Sequence, residues 1–99
     1  MLAVVMQTAP GRFILEGAFT FASVSQVERT STRLFSEVSD AVLDLQGVTE
    51  IDSAGLALLI EWIRKAEKKG MKMTFCNLPD SLWAIARASN LEGLIPIAR

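Results

Sequence analysis

Residues 42–59, Val42-Leu43-Asp44-Leu45-Gln46-Gly47-Val48-Thr49-Glu50-Ile51-Asp52-Ser53-Ala54-Gly55-Leu56-Ala57-Leu58-Leu59, constrain the fold more than any other part of the chain. Ala41 to Leu45 is a compact apolar run broken only by Asp44, which suits a short strand buried on both faces of a sheet. From about Ala54 to Lys69 the pattern changes. Leu56, Leu59, Ile60 and Ile63 fall at the i, i+3, i+4, i+7 spacing of a helix packed on such a sheet, and Gly70 is placed to end it. A strand that feeds a helix is half of a crossover unit, so the next β-prone run, Met71 to Cys76, should lie parallel to the first.

The remaining chain fits around that unit. Leu2 to Gln7 and Arg12 to Glu16 flank the turn signal Ala9-Pro10-Gly11 and read as an antiparallel hairpin. Gly17 should end the second strand, with Phe19-Thr20-Phe21 as a connection. A helix is predicted from about Ala22 to Val38, with Val24, Val27, Leu34, Phe35 and Val38 on one face. Ser23 and Gln26 are spaced as a capping box, and Ser31 is a polar weak point in the apolar stripe. Pro79-Asp80-Ser81 opens a third helix with Leu82, Ile85, Ala86 and Ser89 inward, stopping near Asn90 before an extended Ile95-Pro96-Ile97. The order is β-β-α-β-α-β-α in one α/β domain, residues 1–99. Its small mixed sheet has an antiparallel N-terminal edge strand, is otherwise parallel, and is packed with helices.

Composition removes several function classes. With 51% hydrophobic and 21% charged residues the chain has the balance of a folded domain. A formal net charge of −1 leaves no electrostatic footprint for nucleic acid. The basic run Arg64, Lys65, Lys68 and Lys69 reads as a solvated helix end complementing the helix dipole, with a phosphate or lipid-headgroup site as the alternative. There is no histidine, which removes Ser-His and Cys-His nucleophile pairs and histidine-based metal sites. Cys76 is the single cysteine, expected as a small buried hydrophobe in a reducing compartment. The N-terminal run lacks the basic flank of a signal sequence, and Ala54–Ile63 is too short to span a bilayer. The expectation is a cytoplasmic protein without catalytic residues, cofactor or metal, and without direct membrane insertion.

The chemistry that remains gathers at the strand-to-helix junction. Ser53 has two readings. As an N-cap its oxygen would accept from a free N–H of the first turn, a role Asp52 could fill instead. As a phosphoacceptor it would carry close to two negative charges, held by those same N–H groups beside Asp52. Gly55 would let a partner's backbone approach. Asp44 is read as an orienter of loop N–H groups. Leu58 and Trp62 lie together on a flank of the helix, one turn from Ser53. They are either a partly exposed docking patch or a flank covered by the neighbouring helix.

The run from Val42 to Leu59 resembles the core motif of STAS domains, the family of sulfate transporters and anti-sigma factor antagonists. The likeness extends to the opening hairpin, Gly17, Gly70, Leu82 and Leu91. In the antagonists the serine matching Ser53 is phosphorylated by the kinase the antagonist binds, and Asp52 matches the acid before it. Those antagonists usually carry Gly-Glu-Leu-Asp after the second strand, where this chain has Gly17-Ala18-Phe19-Thr20-Phe21. That segment, with the Gly-Leu-Ala-Leu-Leu helix start, is more similar to the small STAS subunits of bacterial lipid-asymmetry (Mla-type) ABC transporters. The resemblance implies a non-catalytic accessory subunit that binds the ATPase subunit, peripheral to the inner membrane through that partner. The alternative it implies is an antagonist of an anti-sigma factor kinase, switched at Ser53. The implied contact residues are Thr49, Asp52, Ser53, Ala54, Gly55, Leu58 and Trp62.

Overall fold

The structure, a computed structural model, describes residues 1–98. Its elements are β1 (Val4–Ala9), β2 (Arg12–Phe19), α1 (Val24–Leu34), β3 (Asp40–Ile51), α2 (Ser53–Lys69), β4 (Lys72–Cys76) and α3 (Asp80–Ala88), followed by a 3₁₀ turn at Glu92–Leu94. The four strands form one sheet in the order β1-β2-β3-β4. β1 runs antiparallel to β2, and β2, β3 and β4 are parallel neighbours. Fold class, element order and strand directions match the sequence expectation.

Two strands run further than the sequence pattern suggested, for different reasons. β2 does not stop at Gly17; the glycine takes φ +100 inside the strand. A side chain there would press on the carbonyl oxygens of Leu2 and Met1. Ala18 instead bonds the N-terminus on both sides, donating to Met1 O at 2.8 Å and accepting from Ala3 N–H at 2.9 Å. β3 continues past Leu45 because its pairing with β2 slips twice, once between Ile14 and Glu16 and again between Gly17 and Ala18. At each slip β3 carries one extra residue, so its side chains change phase. Leu45, Val48 and Ile51 thereby all point into the core although they are spaced by three.

The strands are buried on one face only. Phe13, Leu15, Ala41, Leu43, Leu45 and Phe75 are sealed beneath the helices. The opposite face carries Ile14, Val42, Asp44, Thr74 and Cys76, all half-buried. The expectation that Ala41–Leu45 is covered on both sides is therefore corrected: the residues alternate, as in a sheet with one open face.

α1 is shorter at both ends than the apolar stripe predicted, and Ser23 does not close a capping box. Its hydroxyl donates to Ala18 O at 2.9 Å and accepts from Thr20 N–H at 3.1 Å, fastening the helix start to the end of β2. Ser31, the apparent flaw in the stripe, is 1% exposed and has a specific partner. The indole N–H of Trp62 donates to its hydroxyl at 2.9 Å, and that hydroxyl donates onward to Glu28 O at 2.9 Å. Trp62 then links three phenylalanines. It stacks on Phe19 at 5.9 Å between centroids and meets Phe35 edge-on at 5.6 Å, while Phe35 meets Phe13 edge-on at 4.8 Å. Such pairs contribute about 0.5–1.5 kcal/mol each beyond burial.

α2 ends as expected. Gly70 takes a left-handed conformation at φ 69, and its N–H bonds back to Ala66 O and Glu67 O. Replacing Ser31 by alanine adds no bulk and leaves the buried indole N–H without an acceptor. Ser31→Ala should cost about 1–3 kcal/mol of unfolding free energy, read from the midpoint of urea denaturation at unchanged slope.

Candidate functional site

Asp52 is the only residue between β3 and α2, and its extended backbone (φ −125, ψ −173) makes it the N-cap. One carboxylate oxygen accepts from the N–H groups of Ala54 at 2.9 Å and Gly55 at 3.1 Å. The other accepts from Phe21 N–H at 3.1 Å. The side chain therefore ties the first turn of α2 to the connection between β2 and α1. Phe21 N–H is the strongest of the influences that hold the pKa of this carboxyl below its ordinary value; partial burial opposes it, and the N–H groups of Gly55 and Ala54 reinforce it.

The cap thus belongs to Asp52 and not to Ser53, because Ser53 is already the first helical residue. The N–H groups expected to cradle a phosphate are filled from within by Asp52. Ser53 is exposed, and its hydroxyl has no hydrogen-bond partner among the described residues. Thr49 is exposed near the end of β3, where the neighbouring Glu50 pairs with Ala18 of β2. Ala54 is half-buried and Gly55 is buried. A Cβ on Gly55 would collide with the carbonyl oxygen of Phe19. The glycine serves the close approach of α2 to β2 and does not leave room for a partner's backbone.

Leu58 and Trp62 leave the candidate surface. They are 8% and 4% exposed, and Trp62 is committed to Ser31 and the aromatic chain. The flank is covered by α1, the second of the two readings. The structure supplies another aromatic in their place. Phe21 is 81% exposed, on the residue whose N–H Asp52 holds. Nothing in the sequence signalled it: residues two apart in a strand share a face, and Phe21 turns outward only because β2 ends at Phe19.

Asp44, expected to orient loop N–H groups at the end of its strand, lies inside β3 and takes one backbone N–H of that strand and one side-chain amide. Its Oδ1 accepts from Gln46 N–H at 2.8 Å and from the Asn77 side-chain amide at 3.0 Å, holding the first slip of β3 and the β4–α3 connection together. Cys76 is half-buried. Burial pushes its thiol pKa up and the nearby Asp44 charge adds to this, with Arg12 opposing. It is the opposite of an activated nucleophile. No described helix is long and apolar enough to cross a membrane.

The chain belongs to the STAS family: residues 2–96 match the family described as "Mlab, STAS domain". Over 49 residues, half of this chain, it is 37% identical to the intermembrane phospholipid transport system binding protein MlaB of Escherichia coli, and the same holds for MlaB of Shigella flexneri. The match spans half the length of those relatives as well. The fold is similar to that of the Bacillus cell fate determinant SpoIIAA in its phosphorylated form, with a TM-score of 0.67 at 14% identity over 98% of this chain and 91% of that one. It is also similar to part of the murine Solute Carrier 26 family member A9 anion transporter, with a TM-score of 0.66 at 18% identity over 83% of this chain and 14% of that one.

Because folding lowers the Asp52 pKa, its stabilisation is complete above the ordinary value of 3.8 and is lost as pH falls through the folded value. Asp52→Ala should cost about 0.5–2 kcal/mol near neutral pH. The gap to the unsubstituted protein should close as the pH of the denaturation series is lowered below about 4.

Proposed function

We propose that this chain is a non-catalytic binding module that docks through the surface around Ser53 onto the ATPase subunit of a phospholipid-transporting ABC system, on the cytoplasmic side of the membrane. The observation that carries this reading is an exposed hydroxyl at the mouth of α2 with no internal task. Beside it is an aromatic ring that is 81% exposed, and both segments are anchored by one carboxylate. An exposed ring on a backbone already held in place loses little freedom when buried by a partner, which favours it as an interface anchor. Thr49, Asp52, Ser53 and Ala54 would complete the contact, with Gly55 beneath them. The relatives named as binding proteins of a phospholipid transport system support the choice of partner.

A module of this kind acts by mass action: binding one conformation of the ATPase subunit raises its population. Phe21→Ala should weaken the complex with the ATPase subunit from the same genome by about 2 kcal/mol, roughly 30-fold. Ser53→Trp should weaken it by obstruction. Both variants should unfold at nearly the same denaturant concentration as the parent, since neither side chain is buried. Unchanged affinity for both by titration calorimetry would remove this surface from the interface.

A second reading, a phosphorylation-switched antagonist of an anti-sigma factor kinase, is favoured by the same free hydroxyl. A phosphate on Ser53 would face the Asp52 carboxylate and not an empty ring of N–H groups, so it would repel and reorganise the surface. Intact mass after incubation with a cognate kinase and ATP tests it; an unshifted mass counts against the switch.

A further inference from the structure

Residues of α1, the C-terminal half of α2 and β4 enclose a cleft of about 360 Å³ on a part of the chain distinct from the Ser53 surface. Its walls are Phe35, Trp62, Met71 and Met73, with Lys65 and Lys69 at its rim. The walls are mainly apolar: the hydroxyls of Ser31 and Thr32, which also line the cleft, both donate to Glu28 O, and the indole nitrogen of Trp62 is satisfied by Ser31. Both charged residues that line the cleft are cationic and exposed, one helical turn apart. Among the described residues Lys65 forms one ion pair, with Glu28 at 3.9 Å and both side chains about half exposed, a contact weak enough for a ligand to displace. The neighbouring groove on the far side of Ala66 is larger, about 640 Å³, but it mixes Arg64 and Lys72 with Glu67 and selects no charge.

We propose that the cleft between α1 and α2 binds a single-chain anionic amphiphile, its tail against Trp62, Phe35 and the two methionines and its acidic head between Lys65 and Lys69. The volume lies at the lower end of small-molecule sites, which suits one medium-length alkyl chain and not a two-chain lipid. Methionine walls adapt to a flexible tail. The lysines keep their ammonium groups in water while their stems extend the apolar wall. The basic end of α2 thus divides by position. Lys65 and Lys69 face the cleft, whereas Lys68, in the same turn, does not line it. The inference is independent of the docking surface around Ser53.

The probe is dodecanoate, kept below its micelle concentration, against the full chain. The indole N–H resonance of Trp62, assigned through Trp83→Phe, should move saturably with one ligand per chain. Dodecanol should bind at least about 10-fold more weakly, since it cannot pair with the lysines. Lys65→Glu and Lys69→Glu should each weaken dodecanoate by a similar factor, while Lys68→Glu, with the same change in net charge, should not. Met71→Trp, at a half-buried position, should fill the cleft and abolish the shift. No saturable movement of the Trp62 signal would overturn the proposal. Equal affinity for dodecanol, or an equal loss with Lys68→Glu, would do the same.

Discussion

The carboxylate of Asp52 is the interaction on which the organisation of this domain turns. It receives three backbone N–H groups from two segments that meet only in three dimensions, the start of α2 and the connection after β2. A helix N-terminus otherwise offers unpaired donors to solvent or to an anion. Here the internal carboxylate fills that role, and Ser53 is released from any structural duty. The packing beneath is equally committed: Gly55 lies against the carbonyl of Phe19, and Phe19 lies against Trp62. A rigid base therefore carries the exposed pair, Phe21 and Ser53.

The second organising element is Trp62. One side chain on α2 contacts β2 through Phe19, the end of α1 through Phe35, and the middle of α1 through the Ser31 hydroxyl. A buried indole needs an acceptor, and a serine supplies one with little volume. The same residues close the floor of the cleft under Lys65 and Lys69, so the core of the domain and its apolar recess share a wall.

What the sequence revealed and what it hid have physical causes. The strand–helix unit from Val42 to Leu59 was legible because the α2 stripe and its terminal glycine follow ordinary periodicities. The second half of β3 was not, because two register slips replace the period of two with a spacing of three at Leu45, Val48 and Ile51. Gly17 looked like a strand end because a positive φ within a strand leaves no mark on composition. Ser31 looked like a defect because its partner lies 31 residues away, and for the same reason Trp62 could not be told from an exposed anchor. The choice between Asp52 and Ser53 as cap was open in one dimension; the extended backbone at Asp52 decides it. Phe21 was hidden by its company, since an aromatic next to an apolar strand reads as core.

The sheet's uncovered side has a consequence of its own. Ile14, Val42 and Thr74 share it with Asp44 and Cys76, while the helices occupy the other side. The domain is therefore built with a front and a back. A neighbour laid along the back would touch neither the mouth of α2 nor the recess beside Lys69. A contact made along the back would leave the exposed Phe21 and Ser53, and the recess beside Lys69, uncovered.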